Sequence, residues 1–216
     1  MIRESGRFIR DKKTGGNMRR TFVWFFAIGL IATALAASGA PAAESQAKPM
    51  KPALLVIDIQ NAYLPMMSAE GKDLALYMIN GAIELFRVNG FPVIRVHHTD
   101  LKYGPKPGTK EFEFPESVLI KPEDPRVVKN YPSAFKKTDL DKILKEKGCN
   151  TVFLCGLSAV GCVLATYYGA NDLDYDTFMV RDALLSQNAE YTRVVQEFCD
   201  SVGYAALKVM LENAKK

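Results

Sequence analysis

The chain predicts an α/β fold in three layers, α-β-α, with a mostly parallel sheet between helices. From Ala53 onward, short apolar runs alternate with stretches of helical periodicity, the pattern of repeated strand–helix crossovers. The run Ala53–Ile59 is apolar with little alternation, as a strand covered on both faces requires. Glycines such as Gly90 and Gly148 fall where the helical patterns stop.

Taken in order, Ala53–Ile59 is the first strand. Asp73–Asn89 follows as a helix, with Leu74, Tyr77, Met78, Ala82, Leu85 and Phe86 at helical spacing. Phe91–Val96 is the second strand. Thr99–Asp124 is rich in Pro, Gly and Lys, has no period and reads as a long functional or disordered loop. Val127–Lys129 is a short third strand. Thr138 is placed to cap a helix, with Asp141 at the capping-box position. Thr151–Cys155 is the fourth strand, with a helix from about Val160 to Asn171. Asp176–Val180 is a strand, Ala189–Ser201 a helix, and Tyr204–Leu207 a last strand before a C-terminal helix.

The N-terminus reads separately. From Met18 the order is two arginines, an apolar run from Thr21 to Ala37, then small residues with Ala-x-Ala at 34–36 and 40–42. That is a secretory signal over 18–43; the alternative is an uncleaved membrane anchor, for which the run is short against the ~20 apolar residues of a span. Residues 1–17 are polar and basic and read as an early start assignment or a basic leader. Residues 44–52 form a linker, and 53–216 a single domain of about 165 residues, ample for a core. The protein is therefore expected to be exported to the periplasm and free of the membrane once cleaved. Its net charge of +4 is concentrated in residues 1–20, and the remainder is slightly acidic. With no basic stripe, nucleic acid is not an expected partner.

The most telling stretch is 150–162, an apolar strand, a turn containing Gly156 and Gly161, and Cys162 opening a helix. A helix start favours a thiolate, and turn amides can line an oxyanion site. Asp58 ends the first strand and Lys129 the third. In a parallel sheet these three residues meet at the carboxyl edge, where ligands bind. An acid, an amine and a thiol there suggest nucleophilic catalysis. Gly-x-Gly-x-x-Gly is absent, and Gly156–Gly161 lacks the following Lys-Ser/Thr, so no nucleotide loop is present. His97 and His98 are adjacent and project to opposite faces of a strand, which argues against a shared metal; the cysteine spacings give no zinc pattern, and no metal or cofactor is expected. Tyr63, Phe112, Phe114 and Phe135 are candidate pocket walls, with Gln60 and His98 beside them. Cys149 and Cys155 are ~20 Å apart on an extended strand and cannot pair, whereas Cys199 could pair with either.

Three motifs carry a resemblance: Val56-Ile57-Asp58-Ile59-Gln60-Asn61, Val128-Lys129-Asn130-Tyr131-Pro132-Ser133-Ala134-Phe135, and Gly156-Leu157-Ser158-Ala159-Val160-Gly161-Cys162-Val163 leading to Val180-Arg181-Asp182-Ala183. Over about 53–200 the chain resembles the isochorismatase-like cysteine hydrolase superfamily, which includes nicotinamidases, N-carbamoylsarcosine amidohydrolases and related amidases. The resemblance implies a six-stranded, Rossmann-like parallel sheet and a catalytic triad of Asp58, Lys129 and Cys162. It also implies a cis peptide at Leu157–Ser158 and an oxyanion hole made by the amides of Ser158 and Cys162. The substrate it implies is a small amide or carbamoyl compound, hydrolysed at a C–N bond through a thioester, and homo-oligomers are common in the family. Departures are Ala159-Val160, where members often carry Thr-Asp, and Ala62-Tyr63, where they often carry Asp-Phe. The Asp-x-His set of metal-dependent nicotinamidases is missing. Two alternatives stand beside the amidase reading: an exported binding protein with a degenerate site, and a vinyl-ether hydrolase. A thiol redox protein is disfavoured because Cys-x-x-Cys is absent.

Overall fold

The structure is a computed structural model and describes residues 48–100 and 102–215. The segments expected as leader and signal, and residues 44–47 of the expected linker, lie outside the described residues. The elements run β1 (Pro52–Ile57), α1 (Lys72–Val88), β2 (Val93–His98), β3 (Arg126–Lys129), α2 (Leu140–Glu146), β4 (Thr151–Leu157), α3 (Leu164–Asn171), β5 (Asp176–Leu185), α4 (Ala189–Phe198), β6 (Ser201–Val202) and α5 (Tyr204–Ala214). All strand pairs are parallel, in the order β3-β2-β1-β4-β5-β6. This is the α/β sheet that the alternating pattern predicts.

The buried strand β1 shows why its residues read as one apolar run. Ala53, Leu55 and Ile57 enter one core with Leu140, Leu144, Val163, Tyr167 and Val195 from α2, α3, α4 and the turn before α3. Leu54 and Val56 enter the opposite core with Ile79, Ile83, Phe86, Leu207 and Leu211 from α1 and α5. Both faces of the strand are covered, so both parities must be apolar. Burying a leucine- or isoleucine-sized side chain contributes about 1.5–3 kcal/mol.

The order reverses at β1, with β2 on one side and β4 on the other. The crevice beyond the carboxyl ends of β1 and β4 is therefore the topological switch point, where open parallel sheets bind ligands.

Several sequence expectations need correction. β1 begins at Pro52, the last residue of the expected linker, and stops at Ile57, because Asp58 takes a left-handed backbone (φ 55). β4 runs on to Leu157, and β5 to Leu185 through an irregularity opposite Leu154–Gly156, where Asp182 is left-handed (φ 64). The capping box at Thr138 does not form: Asp141 is held by Lys145 (2.7 Å) and Tyr175 (2.9 Å) instead, although Thr138 Oγ1 accepts weakly from the Leu140 amide. Tyr204–Leu207 is helix rather than strand, because Leu207 and Leu211, four apart, share one buried face; the last strand is the two-residue β6. All four cysteines are free thiols. The long loop is tied down rather than loose, with the amides of Asn61 and Ala62 donating to the carbonyls of Glu113 and Glu111 at 3.0 Å each.

Candidate active site

β1, β3 and β4 deliver the three chemistry-bearing residues to the same edge. Asp58 follows β1 directly and is 2 % exposed; Lys129 ends β3 and is 1 % exposed. The left-handed backbone at Asp58 costs on the order of 1 kcal/mol for a residue with a Cβ, a strain typical of functional turns. After β4, a cis peptide joins Leu157 to Ser158, as the resemblance implies. A wide turn then spans Ala159–Val163, kinked at Gly161, and Cys162 lies in it, half-buried.

Lys129 Nζ donates to Asp58 Oδ2 at 2.7 Å. It also lies 3.1 Å from His98 Nδ1. An ammonium has donors only, so Nδ1 must be the acceptor and the ring proton sits on Nε2. The register sets this contact, since His98 and Lys129 are direct partners across β2 and β3. The Cys162 sulfur, a ring nitrogen of His98 and a carboxylate oxygen of Asp58 lie within 4.8 Å of one another. Asp58 Oδ1 has no hydrogen bond of conventional geometry, yet the thiol is close enough to couple electrostatically to the carboxylate. The same three atoms resemble a metal cluster, but the Lys129 ammonium stands against both Asp58 and His98, so a cation there would meet a positive charge.

The electrostatics correct one expectation. Burial raises the Asp58 carboxyl above its ordinary 3.8, against the opposing pull of Lys129. Burial, followed by the negative charge of Asp58, pushes the Cys162 thiol up to about 12, more than Lys129 can offset. Burial and the Asp58 charge thus favour the thiol, against the thiolate that a helix start favours. A thiolate beside an ionised Asp58 would place two negative charges around one ammonium in a buried site. Moving the proton from sulfur to Asp58 leaves the net charge of the cluster unchanged.

The other sequence candidates divide. Tyr63 faces the site, with its ring 5.9 Å from that of His98; its phenol is raised to about 12 by burial and then by Asp58 and Cys162. His98 is in the cluster, held neutral at about 4 by burial and by Lys129. Gln60 is buried but is no free pocket wall, because its amide is spent on the backbone of His98. Phe135 stacks on Tyr175 at 5.7 Å and packs next to Gly169 of α3. Phe112 and Phe114 stack on the two sides of His97, at 4.9 and 4.4 Å, away from the cluster. Strand alternation separates the histidines, since His98 shares the parity of Val96 and His97 that of Val93. Ser158 is half-buried, its hydroxyl 3.4 Å from that of Ser186.

Two supporting residues were not read from the sequence. Thr166 Oγ1 donates to the Cys162 carbonyl at 2.7 Å and accepts from the Ala134 amide at 3.0 Å, tying the lysine-motif turn to the cysteine turn. Its position four residues after Cys162 was the available signal, because a helical threonine commonly bonds back to i−4. Ser186 follows β5 at the same edge and is buried.

Known proteins agree with this architecture. Residues 52–198 match the family model described as Isochorismatase domain, and the chain belongs to the isochorismatase family of hydrolases. It is 34% identical over 139 residues to the isochorismatase family protein YddQ of Bacillus subtilis (strain 168), covering 62% of this chain and 77% of that one. It is 28% identical over 162 residues to a maleamate amidohydrolase of Pseudomonas putida, covering 65% and 75%. Among solved structures, an isochorismatase family protein from Burkholderia thailandensis superposes with a TM-score of 0.65 at 25% identity, covering 76% and 98%. N-carbamoylsarcosine amidase from Thermoplasma acidophilum superposes with a TM-score of 0.59 at 26% identity, covering 71% and 95%.

Proposed function

We propose that this hydrolase cleaves the C–N bond of a small amide or carbamoyl compound through a thioester on Cys162. One observation carries the reading: the buried Asp58 carboxylate is held by the Lys129 ammonium at 2.7 Å, with the Cys162 sulfur within 4.8 Å of that carboxylate. The relatives add weight, since one is named a maleamate amidohydrolase and one structural neighbour an N-carbamoylsarcosine amidase.

In this mechanism Asp58 takes the Cys162 proton as sulfur attacks the substrate carbonyl. A raised carboxyl pKa makes Asp58 a stronger base than a solvated aspartate. The carbonyl oxygen becomes an oxyanion, received by the amides of Ser158 and Cys162; each such donor is worth ~2.7–4 kcal/mol in the transition state. The C–N bond then breaks, Asp58 returns the proton to the leaving nitrogen, and an acyl thioester remains. Asp58 next deprotonates a water that attacks the thioester, and the sulfur leaves and regains the proton. Lys129 holds the carboxylate and the developing thiolate throughout.

The experiment is ammonia release from a panel of small amides and carbamoyl compounds, run beside a vinyl-ether substrate. Turnover confined to C–N bonds supports the reading. Turnover of the vinyl ether alone replaces it. Tight binding without turnover identifies the degenerate-site alternative, for which Ala159-Val160 is the feature in favour. Within this reading the enzyme is exported from Met18, the 18–43 segment being removed, and acts as a homo-oligomer. N-terminal sequencing and sedimentation of the secreted protein test those two points.

A further inference from the structure

Gln60 has no solvent exposure, and both ends of its amide are committed to one residue. Its Oε1 accepts from the His98 N–H at 2.7 Å, and its Nε2 donates to the His98 carbonyl at 3.0 Å. This happens just past Ile57, where β1 has ended and the β1-facing side of β2 has no further strand partner, although β3 still pairs with its other side. The Gln60 side chain therefore supplies the missing rung and fixes the last residue of β2. The fixed His98 in turn offers Nδ1 to Lys129 Nζ at 3.1 Å, while Asp58 takes a second ammonium proton at 2.7 Å. An ammonium is tetrahedral. Once two of its N–H directions are anchored, the third is no longer free to wander.

We propose that Gln60 and His98 are positioning residues, Gln60 locking the His98 backbone and His98 locking the Lys129 ammonium so that its remaining N–H serves the Cys162 sulfur. The inference rests on the proposed thiol chemistry and deepens it. It replaces the pocket-wall role expected for Gln60, and it gives His98 work that does not require contact with substrate. The chain of control runs from Gln60 through His98 and Lys129 to the sulfur, with Asp58 as the second anchor. The Cys162 sulfur lies within 4.8 Å of the two groups that anchor the ammonium, and the Lys129 charge opposes the upward pull of burial and Asp58 on the thiol.

The test uses the full chain and three variants, His98→Leu, His98→Asn and Gln60→Leu, each checked for folding by its urea midpoint. The first readout is the rate of Cys162 alkylation by iodoacetamide at one fixed, mildly alkaline pH. His98→Leu is expected to slow it about tenfold, the change in thiolate fraction that accompanies one unit of thiol pKa. His98→Asn carries a carbonyl oxygen close to the place of Nδ1 and is expected to recover most of that loss. Gln60→Leu should shift the rate in the same direction as His98→Leu; if it does not fold, the two His98 variants decide. The second readout, on an amide that the enzyme turns over, is a fall in kcat with KM nearly unchanged. A folded His98→Leu that alkylates at the wild-type rate or faster overturns the proposal, as does a His98→Asn no better than His98→Leu. The alkylation arm needs no substrate. Absence of amide turnover by the wild type would sink the proposed reaction while leaving the positioning result readable.

Discussion

Lys129 Nζ lies 2.7 Å from Asp58 Oδ2, and both side chains are sealed from solvent, at 0% and 2% exposure. Two charges have been taken out of water and set against each other at the switch point of the sheet. Such a pair adds little to net stability, because desolvation offsets most of the attraction, but removing one partner strands the other. The pair therefore reads as machinery rather than as a staple.

Replacing Lys129 by Met strands Asp58. The cost is expected to be about 3–5 kcal/mol at neutral pH, measured by urea unfolding. The pH dependence has a definite sign. Burial already raises the Asp58 carboxyl, and losing Lys129 removes the pull that opposes it. A folded pKa above the unfolded value gives stability that is present in acid and lost as pH rises. The deficit of Lys129→Met relative to wild type should therefore shrink as pH falls toward 4, roughly the ordinary carboxylate value. A deficit that is constant across that range contradicts this account.

Gly156 holds β4 against β1 immediately before the turns that carry Asp58 and Cys162. Its φ is +119, and a Cβ there would stand 2.0 Å from the Ile57 carbonyl oxygen and 2.8 Å from the Ile57 nitrogen. Both are backbone atoms of a buried strand and cannot swing aside. Gly156→Ala is expected to cost at least ~3 kcal/mol, combining strain and clash, and to displace Asp58 along with Ile57. Thermal denaturation beside turnover checks this; a wild-type midpoint with full activity would show that the two strands can separate freely.

His97 makes the fold sensitive to acid. It is fully buried between Phe112 and Phe114, neither ring nitrogen has a hydrogen-bond partner, and burial, then Arg126 and Arg95, lower it from 6.5 to about 3. Glu113 approaches its Nε2 at 3.9 Å, but the ring is neutral there, so this contact is not an ion pair. A depressed histidine contributes full stability above its unfolded value, and that stability is lost as pH falls from 6.5 through about 3. The slope is at most ~1.4 kcal/mol per pH unit. His97→Phe, which keeps the stack and removes the titration, should flatten the acid limb of the stability curve. An unchanged limb would assign acid sensitivity to other groups.

The sheet was legible because β1 and β4 are buried on both faces and so leave nearly continuous apolar runs. The three residues at its edge were legible for the same reason: Asp58 and Lys129 interrupt or end such runs, and a charge at a strand end stands out against apolar neighbours. What failed was whatever depended on a partner distant in sequence. Thr138 and Asp141 fit a local capping pattern, but Tyr175 and Lys145 claimed the carboxylate. The thiolate expected from a helix start was outweighed by burial beside Asp58, a charge 104 positions away in the chain (162 less 58). Gln60 looked like a pocket amide because no local pattern announces that its two hydrogen bonds go to a backbone 38 residues on.

The account comes down to sulfur chemistry at Cys162, and the most direct measurement is ammonia release by wild type and Cys162→Ala side by side on an amide that the wild type hydrolyses. The variant keeps its fold, because the half-buried thiol contributes little packing, and it should lose turnover to background. Turnover at the wild-type rate by a folded Cys162→Ala would contradict the covalent mechanism outright.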